Sequence, residues 1–227
     1  MAPAQPLYHP VVLHRLKGAD AIVSVAVFRL VVYPLFDRME GGSMSGFEYL
    51  FTFAGLLFGL ALANLATGYA DVWRDRTRRA IGALTLLLGL VLVLSICRQW
   101  LSIWGARERL DPDAWSIFTV LFVAGPFVFL SQAMFPRTGE DWGSHDEYYF
   151  GHRRVLLGVL IISPLVSLIS NLLSGGVAGR DWEFFTYYLV TIGIPAALVA
   201  SSRRWIHLSG LVVLSLYLLV QILVRWG

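Results

Sequence analysis

The chain has 227 residues, of which 57% are hydrophobic and only 15% charged, and its mean hydropathy is +0.66. Soluble domains carry roughly 25% charge, so water is excluded as the solvent for most of this surface. A formal charge of +3 arises from 17 arginines and one lysine against 15 acids, with the basic residues mainly between apolar runs. That distribution speaks for membrane orientation and against nucleic-acid binding, and the single cysteine, Cys97, excludes an intrachain disulfide and a cysteine metal cluster.

The first 43 residues hold one apolar stretch, Ala21 to Phe36, which is short for a membrane span and carries Arg29 near its middle. A charge at that depth costs roughly 2.5 kcal/mol or more. The stretch reads as an interfacial helix, as an additional tilted span, or, in the preferred reading, as sequence upstream of a biological start at Met44. Glu40, Gly41 and Gly42 are encodable by the purine-rich run of a ribosome-binding site. The expected organisation is therefore an N-terminal extension over residues 1–43 and a six-helix transmembrane domain over 44–227.

Six long apolar runs follow: Phe47 to Ala70, Ala80 to Trp104, Trp115 to Phe135, Val155 to Leu173, Phe184 to Ser201 and Leu208 to Val224. At roughly 1.5 Å per residue each crosses a hydrocarbon core of about 30 Å. Lipid offers unpaired backbone groups no partner, so the runs must be helices. A barrel would need alternating strands, and stretches such as Ala80 to Leu94 are continuously apolar. The predicted fold is all-α, a polytopic bundle of six transmembrane helices. All eight tryptophans fall at or just beyond a run boundary, as an aromatic belt requires.

The connections are short, so function must reside in the bundle or on small loops. The first, third and fifth hold nine arginines (Arg74, Arg76, Arg78, Arg79, Arg137, Arg153, Arg154, Arg203, Arg204), against four at the other side (Arg107, Arg109, Arg180, Arg225). The positive-inside bias then makes loops 71–79, 136–154 and 202–207 cytoplasmic.

Several groupings bear on chemistry. In the first span Gly55, Gly59, Ala63 and Thr67 recur every four residues and form a smooth stripe, suited to packing on another span or to a homodimer or membrane-protein partner. In the fourth span Ser163, Ser167 and Asn171 share a face, with Pro164 freeing a backbone carbonyl one turn earlier, which fits either interhelical glue or a polar cavity. Pro126 and Pro195 also interrupt spans. Glu48 and Arg98 reach nearly the same depth at one boundary, where they either pair across a polar vestibule or snorkel separately to the interface.

His145, Asp146, Glu147 and His152 are spaced poorly for a metal, and Asp146 to Arg154 reads more simply as an interfacial helix on which Tyr148 and His152 meet. No Gly-x-Ser-x-Gly elbow, Cys–His pair or phosphate-cradling glycine motif occurs; Ser174-Gly175-Gly176 lacks a following Lys-Ser or Lys-Thr. No catalytic residue, metal or cofactor is therefore assigned.

Phe47-Glu48-Tyr49, Leu65-Ala66-Thr67-Gly68, the basic segment Arg74 to Arg79, Trp100 or Trp104, Phe135-Pro136 and Asp146 to Arg154 occur in an order that resembles an uncharacterised family of small bacterial multi-pass inner-membrane proteins. The resemblance runs from Met44 onward and implies architecture, with no activity or ligand attached. Together these readings point to a non-enzymatic accessory or small-ligand or lipid-sensing component whose partner is the bilayer. The alternative is a transporter or channel for a small solute.

Overall fold

The computed structural model describes residues 45–76, 82–107, 113–136, 142–173 and 182–226, excepting the side chains of Arg225 and Trp226. The N-terminal extension, the Ser174-Gly175-Gly176 turn, and Arg78, Arg79, Arg109, Arg137 and Arg180 lie outside these residues. The described chain forms six helices: α1 (Gly46–Arg74), α2 (Ala83–Gly105), α3 (Ala114–Ala133), α4 (His145–Leu173), α5 (Trp182–Ala200) and α6 (Arg204–Trp226). Each is long and apolar enough to cross a membrane.

The helix starts follow from local chemistry. Ser45 closes a capping box on α1: its hydroxyl accepts from the Glu48 amide at 3.3 Å, and Glu48 Oε2 accepts from the Ser45 amide at 2.9 Å. Asp113 starts α3 by accepting from the Ser116 amide at 2.7 Å. Ser144 and Glu147 make a similar pair of bonds before α4, at 3.2 and 3.1 Å. At α2 the capping residue is Gly82, whose missing side chain is replaced by one from a distant helix.

The largest departure from expectation concerns α4. Its helix begins at His145, ten residues before the predicted apolar run, and absorbs the segment expected to lie as a separate interfacial helix. The reason is burial: Asp146, Tyr148 and Tyr149 point into the bundle and find polar partners there, so a charged stretch continues the span. The other boundaries move by a few residues, the usual fraying at helix ends.

Successive helices run in opposite directions. The end where α2, α4 and α6 begin is called basal below, and the opposite end distal. α1 lies mainly against α3, through Phe58 on Phe127 (centroids 5.9 Å), Asn64 donating to Ser131 Oγ at 3.3 Å, and Gly68 beneath the Phe135 ring, where a Cβ has no room. α2 runs along α6 and also touches α1, α3 and α4, which makes it the central helix. α3 packs on α4, and α4 on α5.

The inward face of α1 is Leu50, Ala54, Phe58, Ala61 and Leu65. The small-residue stripe lies beside it. Only Gly55 meets a close neighbour, Trp100 at 2.9 Å from a Cβ placed there; Gly59 has none, and Ala63 and Thr67 are exposed. Large apolar side chains such as Leu90, Phe122, Leu189 and Val220 face outward, as lipid contact requires.

Candidate functional site

Polar side chains gather in two places, one at each half of the bundle. The basal group is bonded across helices. Asp146, 7% exposed, accepts from the Leu84 amide of α2 at 3.0 Å through Oδ1 and from Arg204 of α6 at 2.6 Å through Oδ2. It thus caps α2 from α4, in the place where Gly82 supplies nothing. Gly82 has no alternative, because a Cβ there would collide with the Asp146 carboxylate.

Beside it, Thr85 donates to the His145 carbonyl at 3.3 Å, and the Tyr69 hydroxyl donates to the Thr85 carbonyl at 3.1 Å across Gly89, whose bare Cα makes the approach possible. His207 is fully buried. Its Nε2 lies 3.1 Å from the Ser201 carbonyl, which can only accept, so that nitrogen carries the proton; in the neutral ring Nδ1 accepts from the Tyr149 hydroxyl at 2.9 Å. Tyr148 and His152 stack at 4.3 Å beneath Trp142, and Tyr148 donates to the Ala133 carbonyl. Among the described residues no three His, Cys, Asp or Glu side chains gather as metal ligands. These bonds hold the helices together; next to them Arg153 donates through Nη1 to the Phe150 carbonyl at 2.9 Å, while its Nε is buried without a partner.

The distal half differs. A crevice between α2, α4, α5 and α6, closed also by Phe127 of α3, is lined by Ser95, Gln99, Ser163, Tyr187 and Thr191 together with apolar Leu160, Leu214 and Leu218. It encloses about 340 Å³ counted to its open mouth, and its interior admits only about one or two water-sized spheres. Thr191 donates to the Tyr187 carbonyl at 2.7 Å, whereas Ser95 and Gln99 have no side-chain hydrogen bond.

Arg98 is not among the lining residues; it lies beside the crevice on α2, next to Gln99 in the chain, and reaches it through the lining ring of Tyr187. It is 6% exposed, its guanidinium lies 4.7 Å over the ring of Tyr187, and its Nε is buried without a hydrogen-bond partner. Tyr217 of α6, to which Gln221 donates at 3.3 Å, stands within electrostatic reach of both Arg98 and Glu183. A cation over an aromatic face gains about 0.5–2 kcal/mol, less than the several kcal/mol that burying an unpaired ion costs.

Of the residues singled out from sequence, Ser163 lines the crevice. Ser167, one turn further, has a buried hydroxyl without a partner, and Asn171 donates to the Ser167 carbonyl at 2.7 Å and to the Tyr188 hydroxyl at 3.3 Å. Glu48 does not join them. It is exposed and committed to the cap of α1, and it forms no ion pair with Arg98; of the two alternatives for these residues the pairing is absent, and Arg98 lies buried over Tyr187 instead of reaching an interface.

The sequence reading overlooked Ser95 with Gln99, Tyr187 with Thr191, and Tyr217 with Gln221. Each is a polar pair four residues apart within an apolar span, the same signal that marked Ser163 and Ser167. Searches against protein-family models, curated proteins and solved structures return no match for this chain.

Proposed function

We propose that this chain is a non-enzymatic component of a bacterial inner membrane that holds a small ligand or lipid group in the distal crevice, as an accessory or sensing module. In this reading the basal end, with loops 71–79, 136–154 and 202–207, is cytoplasmic, on the strength of the arginine distribution. The likeness to small bacterial multi-pass proteins is part of the same proposal.

One observation carries it: a polar crevice among the apolar helices whose walls keep unused hydrogen-bonding capacity at Ser95 and Gln99, with Arg98 beside it, over the lining ring of Tyr187 and with its Nε unbonded. Polar groups inside a membrane that do not satisfy each other mark a place where something else binds.

The test is purification of the full chain in mild detergent followed by native mass spectrometry. A stoichiometric small molecule or lipid is expected on the wild type and absent from a folded Ser163→Leu variant, whose added side chain fills the crevice. Wild-type protein that carries nothing, or a variant that keeps the same adduct, overturns the reading.

Transport of a small solute is the second reading, favoured by Pro126, Pro164 and Pro195 within three spans, with Pro164 in the crevice wall. Flux into proteoliposomes that Asn171→Leu or Ser167→Leu abolishes would establish it. Against it stands the unequal pairing of the two halves: α1 lies along α3, but α4 and α6 have no comparable backbone contact, as a three-plus-three repeat would demand.

A further inference from the structure

We infer that the distal crevice is a site for a terminal oxyanion, a carboxylate or a phosphate monoester, with Arg98 as its counter-charge; this rests on the crevice binding a ligand at all. The first ground is the state of Arg98. A guanidinium is always charged and presents five N–H donors in a planar fork, yet this one is more than nine-tenths buried, lies over the face of Tyr187, and has no hydrogen bond or ion pair among the described residues. A buried ion in that state is destabilised until an anion joins it. Two basal arginines make the contrast: Arg204, far more exposed, holds Asp146, and Arg153, whose Nε is also buried without a partner, is only half-buried and donates through Nη1 to the Phe150 carbonyl at 2.9 Å.

The second ground is what surrounds the cation. Gln99 and Ser95 stand four residues apart on the crevice wall with no side-chain hydrogen bond, and Arg98 adjoins that wall over the lining ring of Tyr187, so an oxyanion seated between them accepts from Arg98 and from one of them together. Across the opening the ring of Tyr187 fixes the guanidinium plane, and Tyr217 adds a phenol nearby. Size sets the class: an interior that admits only one or two water-sized spheres excludes a bulky headgroup and accepts the end of one. Both a soluble anion and a lipid with a terminal phosphate offer that end.

The experiment uses the purified full chain in uncharged detergent and reads the thermal unfolding midpoint against two probes, inorganic phosphate and phosphatidic acid, with phosphatidylcholine as the lipid control. A saturable rise of several degrees is expected with at least one probe. Response to phosphate identifies a soluble source; response to phosphatidic acid alone, and not phosphatidylcholine, identifies a lipid source. Arg98→Gln should lose the response and match or exceed wild-type stability in anion-poor buffer, because its buried charge is gone. Arg98→Lys keeps the charge without the fork and should respond with weaker apparent affinity, which keeps the inference testable if Arg98→Gln does not fold.

No response from wild type to either probe overturns the inference, as does an unaltered response in either variant. Should both anions fail while a neutral molecule still co-purifies and is displaced by Ser163→Leu, the crevice remains a ligand site and the oxyanion assignment alone falls.

Discussion

Replacing Asp146 separates the two jobs its carboxylate performs. Asp146→Ala strips α2 of its only side-chain cap, worth about 1 kcal/mol, and leaves the Leu84 amide unbonded in a buried place, at the upper end of the same range. It also removes the ion pair with Arg204, whose side chain is 64% exposed, so that part counts for only about 0.5 kcal/mol. The expected loss is about 2 kcal/mol. Asp146→Asn keeps an oxygen for the Leu84 amide and gives up the charge, for a loss of about 0.5 kcal/mol, and Arg204→Ala should fall close to it. Gly82→Ala drives a methyl group into the same carboxylate, so combining it with Asp146→Ala should give less than the sum of the two. SDS titration in mixed micelles, followed by circular dichroism, measures the order. Equal losses for Asp146→Ala and Asp146→Asn would refute the capping role, and full additivity with Gly82→Ala would refute the shared contact.

Tyr149→Phe leaves Nδ1 of a fully buried His207 without its donor and should cost about 1–3 kcal/mol in the same titration. Gly89→Ala should cost a similar amount, about 1–3 kcal/mol, by displacing the Tyr69 hydroxyl, and Tyr69→Phe should relieve most of that penalty. Asp113 is held below the usual carboxylate range by the Ser116 amide that donates to it. Its capping contribution is therefore present above the ordinary carboxylate range and disappears as pH falls through its own lowered value. The Ser116 amide shift in NMR should follow that titration in the wild type and stay flat in Asp113→Asn; a transition at the ordinary carboxylate pH would contradict the cap.

The helices were legible because the solvent dictates them. Long apolar runs in lipid have no choice but to close their own hydrogen bonds, and the runs beginning at Phe47, Ala80, Trp115, Phe184 and Leu208 match α1, α2, α3, α5 and α6 within a few residues. The start of α4 was hidden for the same reason. Charge at Asp146 reads as a boundary until the Leu84 amide and Arg204, both distant in sequence, are seen to receive it.

The stripe of small residues in α1 was legible as a pattern, but a pattern at four-residue spacing does not say which neighbour occupies it. Phe58 and Leu65 took the inward direction, and Gly59 was left at the periphery. Of the fourth-span face read from the sequence, Ser163 and the neighbouring Pro164 line the crevice, whereas Ser167 and Asn171 are not among its lining residues. The rest of the crevice depends on α2 lying along α6 instead of chiefly against α1, an arrangement that no single-span periodicity encodes, so Gln99 and Tyr187 meet only once the helices are assembled.

Polar ties between helices gather near the start of α4, where bonds from Asp146, Thr85, Tyr69, Tyr148 and Tyr149 lash five helices together. A single substitution at Asp146 therefore reaches three helices at once, because one carboxylate on α4 is shared by the first turn of α2 and the first residue of α6.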